Sequence, residues 1–405
     1  MSEIVADNQM GDVDFCTLGM FILDRILTYY ETDDIDFGSS RPGVKNVLGG
    51  AASFAVLGAR LVAGSTYARS VSWIVDVGSD FPSETLAEIR SWDTDCLFRE
   101  DHSRLTTRGW NGYHPNEKRD FKYLTPKLRL EPSMLSDAQV WSQTFHMVCS
   151  SSRCISIVHD ILQRREELRK AGQTPNNENV SKRPIFVWEP VPDLCTPAEQ
   201  EKFFAAIKVV DVVSPNHLEL GMLFEQPEWT KDSPDGQQLI RRIIESGIGP
   251  NRDGCLAIRA GKDGSYAFSK AQEIWLPAYH QPDTSVTTAV VDPTGAGNSF
   301  LGALAQGMVS VGREPFEVIE SILSHSRNWE TALDSWGTRR GLPMALICAT
   351  VAAGFVVEQI GVPQISQNSG KEMWNQSEFT ERVRLYTQRL FKTVEESPQR
   401  HLLTK

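Results

Sequence analysis

The stretch Val290-Val291-Asp292-Pro293-Thr294-Gly295-Ala296-Gly297-Asn298-Ser299-Phe300, continuing as LGALAQGM, is the most informative in the chain. A strand-like run ends in a polar, glycine-bearing turn, and a helical pattern starts at once. A helix start leaves backbone N–H groups without intrahelical acceptors, and the aligned peptide dipoles favour negative charge there, so the turn is a ready anion site. Glycine at such a place lets the backbone approach an anion closely. A bare Gly-x-Gly is equally an ordinary strand-to-helix connection whose glycines serve packing; the longer string is far more specific.

On either side of this turn, apolar runs of strand length alternate with longer helix-patterned segments, the pattern of a parallel sheet covered by helices on both faces. Strands are expected at 15–19, 73–77, 144–149, 184–188, 209–213 and 255–259, and helices at 53–62, 155–171, 197–207 and 236–246. The expected fold is a three-layer α/β/α domain with a mostly parallel central sheet, one unit over residues 1–405. Two stretches, 33–48 and 105–124, are polar and punctuated by Gly and Pro, the second with a turn-like His114-Pro115-Asn116. They read either as surface excursions or as strands of a small sheet projecting over a site. Residues 172–183 read as a polar loop.

The 405-residue chain, 40% hydrophobic, can bury a large core. Its formal net charge of −11 argues against a nucleic-acid partner, whose binding rests on Lys and Arg neutralising phosphates. Seven scattered cysteines form no Cys-x-x-Cys pair and read as reduced thiols. The acidic N-terminal segment has no signal-like apolar stretch, and the longest apolar run, 344–357, is too short to span a bilayer. A cytoplasmic protein with no membrane partner is expected.

The motif Asp292-Pro293-Thr294-Gly295-Ala296-Gly297-Asn298-Ser299-Phe300 resembles the second signature of the PfkB (ribokinase-like) family of carbohydrate and nucleoside kinases, departing from it only at Asn298, where the family has its catalytic aspartate. Further elements resemble the family in its own order over nearly the whole chain. Gly19 to Asp24 looks like the first strand and its substrate-binding aspartate. Gly49-Gly50-Ala51-Ala52-Ser53 resembles the glycine pair of the first signature, with Ser53 where an asparagine is usual. Val77-Gly78-Ser79-Asp80 is similar to the Val-Gly-x-Asp element, and Asn216-His217-Leu218-Glu219 to the Asn-x-x-Glu motif. Arg259-Ala260-Gly261-Lys262-Asp263-Gly264 is similar to a Thr-Leu-Gly-x-x-Gly strand and turn, with Arg259 in place of the threonine. Together, Asn298, Ser53 and Arg259 resemble a fungal, maintenance-of-killer-like branch of the family, whose members need not phosphorylate sugars.

The resemblance implies a β lid from residues near 25–48 and 100–127, ATP with magnesium as cofactors, and a small sugar-like or nucleoside substrate. It implies a catalytic turn of Gly295, Ala296, Gly297 and Asn298, and substrate contacts from Asp24, Gly49, Gly50 and Ser53. Nucleotide contacts fall to Asn216, Glu219, Arg259, Gly261, Gly264 and Thr294, with Glu219 reaching magnesium indirectly. From the residues alone, Asn216 and Glu219 are equally a helix cap and a first-turn acid. Arg259 is equally a phosphate ligand or a salt-bridged strand end. Asparagine cannot accept the proton of an attacking hydroxyl, although its carbonyl can orient that hydroxyl. Asp24, Asp80, Glu189 and His217 are the residues that could take the base role, each with an ordinary structural reading beside it. A carboxylate restored at 298 is expected to raise turnover by about 10-fold or more. The alternatives are a silent relative that binds nucleotide or sugar as a scaffold or regulator, and a different reaction at the same site.

Overall fold

The computed structural model describes residues 12–28, 44–113, 119–175, 178–227, 229–270, 272–281, 290–325 and 341–396. Thirteen strands build its two larger sheets: β1 (Phe15–Thr17), β2 (Ile22–Thr28), β3 (Val44–Gly49), β4 (Val71–Gly78), β5 (Asp95–Asp101), β6 (Arg108–Tyr113), β7 (Arg119–Tyr123), β8 (Thr144–Cys149), β9 (Ile185–Pro190), β10 (Val212–Val213), β11 (Cys255–Arg259), β12 (Ser265–Phe268) and β13 (Glu273–Leu276). Nine form the central sheet in the order β13-β12-β11-β10-β9-β8-β1-β4-β5. Every pairing from β11 to β5 is parallel; only β11-β12 and β12-β13 are antiparallel.

Period-two alternation along these strands divides the core in two. Phe15, Trp73, Val75, Val187, Val212 and Ala257 join one buried cluster, while Cys16, Ile74, Phe186, Trp188, Val213 and Ile258 join the other. The first cluster includes helices α1 (Gly50–Ala63) and α3 (Ala296–Gly307) and the apolar helix Leu342–Val356; the second includes Ser151–Lys170 and Pro234–Ser246. Strands buried on both faces carry near-continuous apolar runs, which is why they were legible in the sequence. The three-layer, mostly parallel fold is the expected one.

A four-stranded sheet, β3-β2-β6-β7, stands apart from the central one. Strands β2 and β3 and strands β6 and β7 pair antiparallel, while β2 and β6 run parallel. Strands β3, β6 and β7 draw on the two polar stretches expected to form a small sheet; β2, which carries Asp24, belongs to this sheet and not to the first strand β1, where Asp24 was expected. The His114-Pro115-Asn116 turn and residues 33–43 of the first stretch lie outside the described residues. Where a plain loop was expected in residues 172–183, Glu178–Ser181 forms a short 3-10 turn.

Along the central sheet the chain leaves β1 toward β4 and β5 on one side, and later toward β8 through β11 on the other. That reversal leaves a crevice beyond the carboxyl ends of β1 and β8, the usual ligand position in open α/β sheets.

Candidate active site

Two helices begin at this crevice from glycines in the left-handed region, Gly50 (φ 80°) opening α1 and Gly295 (φ 80°) capping α3. A Cβ at Gly295 would run into the Phe54 ring. One at Gly58 would meet the Ser299 carbonyl, and one at Gly302 the Ala55 carbonyl. The absence of side chains at these places lets α1 and α3 pack backbone to backbone, with both N-termini opening at the same end.

At the α1 start, Asp24 reaches across from β2. Its carboxylate lies where side chains on Gly49 of β3 or Gly109 of β6 would be, so both neighbouring strands leave it room. It is buried, 3% exposed. Ser53, also buried, donates its hydroxyl to the Gly49 carbonyl at 2.6 Å, one turn back in its own helix. That bond leaves the hydroxyl less available to a ligand than the amide usual in the family would be.

At the α3 start the sequence residues converge more tightly. Asn298 Nδ2 donates to Glu189 Oε2 at 2.5 Å. The other oxygen of Glu189, which ends β9, pairs with Arg259 Nη2 at 2.8 Å. Arg259 Nη2 also donates to the Ser214 carbonyl at 2.9 Å and lies 3.4 Å from Glu219 Oε2. The guanidinium passes over Gly297, whose Cβ would collide with Nη1. Burial alone would lower the Arg259 pKa, but Glu189 and then Glu219 outweigh it and hold the guanidinium above its ordinary value. The salt-bridged strand end is the reading of Arg259 that is seen, and the same side chain lies over the Gly297 turn.

Asn216 and Glu219 form a reciprocal capping box at the start of α2 (His217–Leu223). Glu219 N–H donates to Asn216 Oδ1 at 2.8 Å, and Asn216 N–H to Glu219 Oε2 at 2.7 Å. The cap turns Glu219 toward Arg259, so the structural role and the contact with the cluster coexist. Thr294 donates through both its N–H (2.9 Å) and its hydroxyl (2.5 Å) to Asp292 Oδ1, which shapes the turn ahead of α3. Ala296 N–H closes the same turn onto the Pro293 carbonyl at 3.2 Å. Gly261 (φ 55°) and Gly264 (φ 86°) make the tight turn between β11 and β12. A Cβ at Gly264 would strike the Leu276 carbonyl, whereas Gly261 has open space beside it.

Two of the four alternative bases are otherwise engaged or distant in role. Asp80 accepts from Thr106 N–H and Arg108 Nε, each at 2.7 Å, and these bonds outweigh burial to lower its pKa. It ties the end of β4 to the start of β6. His217 opens α2 as a first-turn residue. Glu189, read from sequence as a strand-end acid, is the carboxylate that meets Asn298.

One residue was missed. His146, inside the apolar run of β8, is fully buried, with Nδ1 2.9 Å from Thr17 Oγ1 and Nε2 4.0 Å from Glu189 Oε2. Burial first, and the Arg259 charge second, push its pKa from 6.5 down to about 3, so it is neutral at physiological pH. A histidine within a mostly apolar central strand was the available signal. Around the α3 start, His146 Nε2, Arg259 Nε, Asp292 Oδ2 and Ser299 Oγ are buried without hydrogen-bond partners among the described residues. Buried polar groups are normally satisfied, so the place is built to be completed by a polar ligand, ion or water.

The expected gain from Asn298→Asp needs revision. A carboxylate at 298 would stand against Glu189 at the distance of the present hydrogen bond, and two such groups cannot both ionise easily.

A crevice with two glycine-opened helix starts, at the carboxyl ends of a parallel sheet beside a small second sheet, defines the ribokinase-like kinase scaffold. Residues 14–363 match the pfkB family carbohydrate kinase, and the chain belongs to that family. It is 32% identical to Protein MAK32 of Saccharomyces cerevisiae over 391 residues, covering 91% of each chain. It is 31% identical to an uncharacterised protein of Schizosaccharomyces pombe, covering 94% of each. The fungal branch suggested by Asn298, Ser53 and Arg259 is therefore the right one. Among solved structures, ribokinase from Giardia lamblia aligns with a TM-score of 0.60 at 17% identity, over 95% of this chain and 99% of that one. Arabidopsis thaliana ribokinase complexed with ribose and ATP aligns with a TM-score of 0.56 at 16% identity, over 93% and 99%. Identities this low speak for the fold.

Proposed function

We propose that this chain is an ATP-dependent phosphotransferase acting on a hydroxyl of a small sugar-like or nucleoside substrate. The observation that carries the reading is the contact of α1 and α3, which sets two helix N-termini side by side, Asp24 at one and Asn298 with Glu189 and Arg259 at the other. In this reading the phosphates lie at the Gly295-Ala296-Gly297 turn, where first-turn N–H groups and the helix dipole favour anions. Thr294, Gly261, Gly264, Asn216 and Arg259 border them, and the substrate lies toward Asp24, Gly49, Gly50 and Ser53, under the four-stranded sheet as a lid.

ATP supplies the phosphoryl group, and the protein's task is positioning and charge stabilisation. Asn298 orients the acceptor hydroxyl, Asp24 holds neighbouring hydroxyls, and Arg259 Nη1 faces the phosphate side. Among the described residues no three acidic, His or Cys side chains gather as a metal cage. Magnesium therefore fits best as a companion of the phosphates, with Glu219 acting on it at one remove. The chain is read as one domain. Its seven free cysteines, six of them buried, support a reducing, cytoplasmic setting, and among the described residues no helix is long and apolar enough to cross a membrane.

A second reading, a nucleotide- or sugar-binding relative without turnover, draws on Ser53, committed to a backbone carbonyl, and on Arg259, already paired within the protein. Titration with MgATP and MgADP, followed by turnover over a panel of pentoses, hexoses and nucleosides, separates the two. Nucleotide in excess should raise the melting temperature by mass action. No shift at millimolar MgATP would remove both readings as nucleotide proteins; a shift with no turnover would leave the second.

A further inference from the structure

Any transfer of a phosphoryl group to an alcohol must dispose of the hydroxyl proton, and an amide at 298 cannot take it. We propose that Glu189 is the proton acceptor, working with Asn298 as a pair; the assignment rests on the phosphotransfer reading.

A carboxylate only accepts, so the 2.5 Å contact fixes which end of the Asn298 amide faces Glu189: it is Nδ2. The second N–H and Oδ1 of Asn298 then remain to hold an alcohol. Glu189 is itself held from two sides and faced from a third. Arg259 binds Oε1, Asn298 binds Oε2, and neutral His146 presents Nε2 4.0 Å from Oε2 without a hydrogen-bond partner of its own among the described residues. The residue is 6% exposed, so it is kept from bulk water but borders the polar turn.

In the proposed step Glu189 Oε2 takes the proton as the alcohol O–H bond breaks. The freed oxygen pair forms the bond to the γ-phosphorus, while the bond from that phosphorus to its bridging oxygen breaks and the pair leaves on the nucleoside diphosphate. Protonation neutralises Glu189, so Arg259 loses part of its internal partner as negative charge moves to the leaving diphosphate. The guanidinium is thereby released toward phosphate at the moment it is needed.

The test compares wild type, Glu189→Gln, Asn298→Asp and the exchange variant Glu189→Gln/Asn298→Asp, using MgATP with ribose, fructose and adenosine as acceptor probes. Binding of MgADP by calorimetry is the readout that does not depend on activity. Expected are a loss of about 100-fold or more in acceptor-dependent turnover for Glu189→Gln with MgADP binding retained or tightened as Arg259 is freed, no gain for Asn298→Asp, and recovery in the exchange variant. Should Glu189→Gln not fold, the exchange variant decides, because it keeps one carboxylate and one amide in the pair. A folded exchange variant that stays inactive overturns the assignment, as does wild-type turnover that survives Glu189→Gln. Absence of turnover in both the wild type and the exchange variant sinks the phosphotransfer reading, and the assignment with it.

Discussion

Helices α1 and α3 start alike and are charged oppositely. Each opens at a glycine with φ 80°, and each has a glycine whose missing side chain makes room for a charged group from another element. At α1 that group is the Asp24 carboxylate beside Gly49, the sign a helix N-terminus favours. At α3 it is the Arg259 guanidinium over Gly297, the sign a helix N-terminus disfavours. The second arrangement therefore requires Glu189 and Glu219 to compensate it. One start faces a single carboxylate that glycines on two strands make room for; the other faces a guanidinium compensated by two carboxylates.

The largest effect should come from removing the odd charge. Arg259→Met leaves Glu189 and Glu219 buried without their cation and should cost about 3–5 kcal/mol in urea unfolding. The same change combined with Glu189→Gln should cost clearly less than the sum of the two singles. Additive costs would show that the two helix starts differ less than their geometry suggests.

Acid should act on the α3 side next. His146 titrates near 3 in the folded chain against 6.5 ordinarily, so the unfolded chain binds the extra proton as pH falls. Stability from this residue is intact above about pH 6.5 and declines by about 1.4 kcal/mol per pH unit below it, roughly 2–3 kcal/mol by pH 4.5. Glu358 also weakens the fold in acid. Burial would raise its pKa, but bonds from His280, Arg382 and Asn375 bring it from 4.5 down to about 2, so its loss falls below pH 4.5. Between pH 4.5 and 6.5, above the Glu358 window, His146→Gln should flatten the pH dependence of the urea midpoint; an unchanged slope would remove His146 as its source.

Gly49→Ala tests the α1 side. Its methyl group meets Asp24, so a cost of about 1–3 kcal/mol is expected, and Asp24→Ala should relieve it. No relief would mean that the room at Gly49 serves another neighbour. The smallest change is Ser53→Ala, which deletes one hydroxyl-to-carbonyl bond and should lower stability by about 1 kcal/mol or less.

The same contrast explains what was legible in the sequence. The α3 turn was readable because its glycines and the flanking strand and helix patterns are local. Asn216 and Glu219, three residues apart, were likewise readable as a cap. The partnership of Glu189 with Asn298 spans 109 residues and that of His146 with Thr17 spans 129, and no local pattern encodes either. The alternation of strand and helix patterns revealed every parallel strand of the central sheet except the edge strand β5, whose sequence is polar, and missed β12 and β13, whose antiparallel return is set by the turn at Gly261 and Gly264. Nor did it reveal that Ser53 would bond to its own helix.

The backbone-to-backbone seam of α1 and α3 has a mechanical consequence. With Gly58 against the Ser299 carbonyl and Gly302 against the Ala55 carbonyl, neither helix can slide or tilt without the other. The seam behaves as a fixed spine, so a ligand at one helix start does not move that helix against the other. Free energies of binding at the two starts should then add, unless the four-stranded sheet carries cooperativity between substrate and nucleotide.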